Sequence, residues 1–140
     1  MRGMAKALEQ FDRLPAVFQA RCTDGLTKAA TLVRDRARML CPVGTPPGDA
    51  HGGDLRDAIG FKVAGVKAWI GIVLRRYDRG GKNRAHQWPS VYGRWVEFGR
   101  RNQRSEPFMR PAAEVGRVAL PIEVAKAGVL AEADLASRAL

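Results

Sequence analysis

"YGRWVEFGRRNQRSEPFMRPA", residues 92–112, is the stretch on which the reading of this chain turns. Tyr92, Trp95, Val96 and Phe98 put apolar side chains at helical spacing, and Gly99 follows as a stop signal. The pattern predicts a short helix anchored by its aromatics, each able to contribute roughly 1.5–3 kcal/mol when buried. Glu97 stands among these apolar neighbours. A buried carboxylate is costly without a partner, so an arginine is expected beside it, with Arg56 or Arg110 the first choices. "RRNQRSEP", 100–107, reads as a polar loop in which Arg100, Arg101 and Arg104 are exposed. Pro107 and Pro111 are expected to fix the entry to a last helix, with Phe108 and Met109 plugging the core. That helix shows its spacing at Ala112, Val115, Ala119, Ile122, Ala125, Val129, Leu130 and Leu135, and Pro121 is expected to kink or split it.

On the N-terminal side, Met4, Leu8, Phe11 and Leu14 suggest a short first helix before Pro15. From Ala16 to Leu40 apolar residues recur every three or four positions, through Cys22, Leu26, Ala29, Ala30, Val33 and Ala37. The opposite face carries Arg21, Lys28, Arg34, Asp35, Arg36 and Arg38, so a long amphipathic helix is predicted. Gly25 weakens it by roughly 1 kcal/mol relative to alanine, and Pro42 ends it. "CPVGTPPGDAHGGD", 41–54, is a Gly/Pro-rich loop. Ile59, Phe61 and Val63 then alternate with Lys62, and "VKAWIGIVLRR" sets Trp69 opposite Ile70 and Ile72 across the pleat. These runs predict an antiparallel hairpin near 57–76, with Gly60 and Gly71 marking a bulge or a close backbone approach. "YDRGGKNRAHQWPS", 77–90, is a further long loop. The expected fold is α+β in a single domain, 1–140. A long N-terminal amphipathic helix and a C-terminal helix pack on a small antiparallel sheet, with long Gly/Pro- and Arg-rich loops between.

Composition narrows the function classes. A chain of 140 residues, 46% of them hydrophobic, can bury about 68–70% of its unfolded surface without staples. No run approaches the roughly 20 apolar residues of a membrane span, and "MRGMAKALEQ" lacks the apolar core of a secretory signal. Synthesis in the cytoplasm is the expectation. The net charge is +10. Residues 1–40 hold eight bases and four acids, 41–110 thirteen and six, and 111–140 three and four. The excess lies mid-chain, mostly in loops, and attracts either nucleic acid or an acidic protein face.

Few residues suggest catalysis. Asp49, His51 and Asp54 could hold a divalent metal or act as an acid/base pair, but they match no ligand motif, and a Gly/Pro-rich loop supports a site poorly. His86 is a lone loop histidine. Cys22 and Cys41 lack the companions of a zinc site and read as two small buried thiols. Neither enzyme activity nor a cofactor or metal is expected. Arg75, Arg76, Arg79, Lys82 and Arg84, with Trp88 nearby, could hold a phosphate backbone or dock on a protein neighbour. No recognition-helix pattern or base-reading aromatic pair accompanies them, which favours a solubilising arm or a protein neighbour over direct nucleic-acid binding.

Two motifs together suggest a family. "CPVGTPPGDAHGGDLRDAIGF" resembles an alanine-proline, short turn, threonine-glycine, leucine-arginine, isoleucine pattern, here carried by Leu55, Arg56 and Ile59. Cys41 stands where alanine is usual, and "TPPGDAHGGD" lengthens a turn that is normally tight. The stretch 92–112 resembles the pattern's partner, through Tyr92, Val96, Glu97, Phe98, Gly99, Pro107, Phe108, Arg110 and Pro111. Their order resembles the gene-product-10-like head–tail connector family of HK-97-type tailed bacteriophages, prophages and gene transfer agents, also called neck or tail-completion proteins. The resemblance implies a structural virion protein, a subunit of a homo-oligomeric ring, with a hexamer the expected copy number. Its expected partners are portal-side connector proteins and a tail terminator or tail tube protein, with DNA passing through the lumen unread and no membrane involved. The arginine loops would then be the subunit contacts and the two motifs the fold-specifying parts. A small basic nucleic-acid-binding module is the alternative.

Overall fold

A computed structural model of the chain describes residues 16–43, 54–73 and 89–138. The first element is helix α1, Ala16–Leu40. Of its buried positions, Cys22, Ala29, Ala30, Val33 and Ala37 follow the predicted stripe, while Gly25 is buried and the expected Leu26 is only half-buried. The Cys41 N–H closes the helix on the Ala37 carbonyl at 2.9 Å, and Pro42 cannot continue it. A single helical turn, α2 (Asp54–Ala58), then leads directly into the hairpin of β1 (Ile59–Ala64) and β2 (Lys67–Ile72). The hairpin thus begins two residues later than 57 because Asp57 and Ala58 belong to that turn. Helix α3 (Pro89–Phe98) follows, and α4 (Met109–Arg138) ends the described chain.

The hairpin register pairs Ile59 with Ile72 and Ala64 with Lys67, leaving a two-residue turn at Gly65–Val66. Gly65 has φ +57°, the left-handed geometry that a type II′ turn requires at its first central residue. Gly60 and Gly71 face one another in an unbroken ladder, so there is no bulge. Gly60 instead marks a close approach, since a Cβ there would lie 2.6 Å from Val73 Cγ2. Lys62 and Trp69, a cross-strand pair, share the exposed face, while Ile59, Ile70 and Ile72 face the core.

The two long helices and this small sheet form the predicted α+β arrangement, with α1 in contact with both α4 and the hairpin. The α1–α4 contact is made of small residues. A Cβ on Gly25 would lie 2.9 Å from the Glu123 carbonyl oxygen, and one on Gly116 would lie 2.7 Å from Val33 Cγ2. Gly25 therefore does more than weaken a helix: it lets two backbones approach. The pairing of early α1 with late α4 makes the helices antiparallel, and Arg21 bridges to Asp134 at 2.7 Å near the far end. Arg38, expected on the solvated face, donates to the Ile59 carbonyl at 2.8 and 3.0 Å and pins the start of β1 to α1. Pro121 does not split α4, which runs unbroken through it. Pro121 and Arg117, whose carbonyl loses its helical partner, are both exposed, so water can take the freed acceptor.

The core centres on Val33, Ala37, Cys41, Leu55, Ile59, Phe108 and Ala112. It is closed by α3, where Gly93 lies against Ile72 and Leu55 so tightly that a Cβ would fall 2.4 Å from Ile72 Cδ1. The short first helix expected from Met4, Leu8, Phe11 and Leu14 lies outside the described residues.

Candidate functional site

Helix α3 ends where its sequence stops it. The Gly99 N–H donates to the Trp95 carbonyl at 2.8 Å, and Gly99 takes φ +79°. A Cβ there would also meet the Gln103 carbonyl oxygen and the Ser105 nitrogen at 3.1 Å, so glycine is required twice over. The chain then turns on itself. Arg100 and Gln103 exchange backbone hydrogen bonds of 2.9 Å, and the Glu106 N–H returns to the Val96 carbonyl at 2.8 Å.

This turn delivers residues 108–110 to Glu97. Glu97 is only 7% exposed, yet no arginine among the described residues pairs with it. Its Oε2 accepts from the Phe108 and Met109 N–H groups at 2.8 and 2.9 Å, and its Oε1 from the Arg110 N–H at 3.1 Å. These are the donors that a helix start leaves without internal partners. The fourth such position is Pro111, which has no N–H to satisfy. The first helical bond then closes from Ala112 to the Phe108 carbonyl at 3.4 Å. One carboxylate and one proline thus complete the N-terminus of α4, and the positive end of the helix dipole stabilises the buried charge. The expected arginine partner is corrected on this geometry: Arg56 lies 3.4 Å from exposed Asp57, and Arg110 stacks over the Phe98 ring at 4.8 Å.

Phe98 is not an anchor in the core. It is 62% exposed and serves as the platform for Arg110. Trp95 does the same for Arg100 at 4.6 Å. Tyr92 and Val96 pack against the core, together with Leu55, Ile59 and Phe108. Arg101 and Arg104 are exposed, as is the whole of 100–107. The predicted contact residues therefore separate: Arg100 is held by Trp95, whereas Arg101 and Arg104 project from the turn. Arg75, Arg76, Arg79, Lys82 and Arg84 lie outside the described residues, as do Asp49, His51, His86 and Trp88. Asp54 opens α2. Among the described residues, no group of three or more His, Cys, Asp or Glu side chains could hold a metal, and no helix is long and apolar enough to cross a membrane. Cys22 and Cys41 are free, buried thiols. Burial pushes the Cys22 thiol up, and it pushes Cys41 up to about 11 despite the opposing Arg56 charge.

Sequence reasoning did not find a large apolar groove on the described surface. A groove of about 690 Å³ opens between α1, the hairpin and α4. Leu26, Val33, Ile70, Met109 and Leu120 line it, Trp69 forms one wall at 54% exposure, and Lys67 and Arg117 stand among the lining residues. The signal available in the sequence was the outward Trp69 of the hairpin alternation, an aromatic placed on a face read as solvated. A smaller pocket is rimmed by the charged residues Arg21, Asp24, Lys28, Glu123 and Lys126, where Lys126 donates to Glu123 at 2.8 Å.

No family model, no curated protein and no solved structure matches the chain.

Proposed function

We infer that the protein is a structural, ring-forming head–tail connector or neck subunit of a phage-like particle, lying between the portal side of the capsid and the tail tube. The observation that supports this reading best is the use made of the paired motifs. The second motif's two halves, "VEFG" and "PFMRPA", meet through Glu97 and the N-terminus of α4. Leu55 and Ile59 from the first motif join Phe108 in the same core. The residues that suggest the family thus serve construction, and the exposed turn 100–107 is left free to meet a neighbour. The ring would surround DNA without reading it and require no cofactor.

Purification of particles from the producing bacterium tests this. The subunit should co-purify with capsids or tails in a stoichiometry of several copies per particle. A protein that never accompanies particles and stays monomeric at every concentration overturns the reading.

The net charge of +10, with Arg101 and Arg104 exposed, supports a second reading as a basic nucleic-acid-binding module. That reading requires tight DNA binding that weakens steeply with salt. Absence of binding at low salt removes it.

A further inference from the structure

Helix α4 carries two apolar surfaces beyond the one that packs on α1. The first borders the groove through Met109, Gly116 and Leu120. The second lies on the side turned away from α1. Val118, Ile122, Ala125 and Val129 recur at helical spacing and fall within about 60° of one another around the axis. All four are exposed, Val118 to 65% and Val129 to 66%. They line neither the groove nor the smaller pocket. One surface is concave and the other is a convex helical ridge.

We propose that the groove of one copy receives the α4 ridge of a second copy. The proposal rests on the ring-subunit reading above and assigns the surfaces through which such a ring would close. Two observations select a second copy as occupant. The first is that groove and ridge are different patches on one chain, both apolar and both open. Such a pair defines a head-to-tail contact, which repeats from copy to copy and can close into a ring, whereas a two-fold contact needs one self-complementary patch. The second is charge. Lys67 stands at the groove and Glu132 flanks the ridge, whereas Arg117 and Glu114, also at these two surfaces, already pair with each other at 3.4 Å. Lys67 and Glu132 have no ion pair among the described residues, and joining copies would bring the opposite charges together. Trp69 on the groove wall is the residue type that most often anchors such contacts.

The test uses two full-length variants whose altered residues are all exposed. Trp69→Glu disables the groove, and Val118→Lys with Val129→Lys disables the ridge. Circular dichroism melts verify that each folds like the parent. Sedimentation equilibrium and native mass spectrometry should then find concentration-dependent oligomers for the parent and monomers for each variant alone. An equimolar mixture should give a heterodimer of twice the 15.3 kDa chain mass and nothing larger, because one intact groove meets one intact ridge. Failure of the mixture to dimerise overturns the proposal. So does self-association of the groove variant, which would mean a two-fold ridge contact or a groove filled by the chain's own residues 1–15. Parent oligomers with both variants unaffected would overturn these surfaces and leave the ring reading standing. A parent that is monomeric at every concentration and absent from particles would overturn both.

Discussion

The N-terminus of α4 and the middle of the same helix are finished in opposite ways. At the N-terminus every backbone donor is matched: three N–H groups meet the Glu97 carboxylate, and the fourth position is Pro111. Along the middle, Val118, Leu120, Ile122 and Val129 are exposed on two sides of the helix. Buried polar groups are expensive to leave unsatisfied, so a folded chain completes them internally. Exposed apolar surface costs much less per residue, so a chain can keep it for a partner. Glu97 therefore belongs to folding, although its setting among aromatics and arginines resembles an active site. The groove and ridge are the part of the molecule that remains unfinished.

Glu97→Ala should break this contrast most severely. It strands three N–H groups, that of Phe108 buried and those of Met109 and Arg110 part-buried, and removes the anion from the helix start, costing about 3 kcal/mol in urea unfolding. Glu97→Gln should cost less, because its amide oxygen still accepts, although its NH₂ group then faces donors. A result for Glu97→Ala within 0.5 kcal/mol, by order of magnitude, of the parent would contradict the cap.

A smaller effect should come from Cys41. Its folded pKa of about 11 is raised above the ordinary 9.0 by burial. A raised thiol pKa means the folded state holds its proton more tightly. The associated stability is fully present below pH 9 and is lost as pH climbs toward 11, by about 2 kcal/mol at most. The difference in stability between the parent and Cys41→Ala should change across that window and stay constant between pH 6 and 8. Alkylation of Cys41 near pH 8 should be far slower in the folded than in the denatured protein.

Gly25→Ala tests the close helix crossing. The added methyl meets the Glu123 carbonyl oxygen at 2.9 Å, and this overpacking opposes a gain in helix propensity of about 1 kcal/mol. The net expectation is a loss of about 1 kcal/mol, and a more stable variant would show that α4 can shift away. The smallest effect belongs to the exposed turn. Arg101→Ala with Arg104→Ala should change stability by less than about 0.5 kcal/mol. The same variant should lower recovery in particles if the turn meets a neighbour.

Much of the fold was legible because it rests on periodicity. The 3.6-residue stripe of α1, the alternation at Ile59, Phe61 and Val63, and the Gly99 stop are local patterns, and each element forms where its pattern lies. The site was legible only in part. The need for a partner at Glu97 could be read from burial alone, but the partner's identity could not. Backbone N–H groups have no signature of their own, and an arginine nearby in sequence looked sufficient. Phe98 was misplaced for a related reason: it fits the helical spacing, but its direction depends on how α3 is rotated against Leu55 and Ile72.

The amino-acid sequence by itself determined where helices and strands form, where glycine and proline stop them, and that the excess charge lies in the middle of the chain. Those properties depend on neighbours within a few positions. Only the tertiary structure decided that Gly25 and Gly116 let α1 and α4 touch, that Arg38 holds β1, that Glu97 starts α4, and that a groove stays open beside Trp69. Each of these joins residues distant along the chain, and contact between them exists only once the elements have packed.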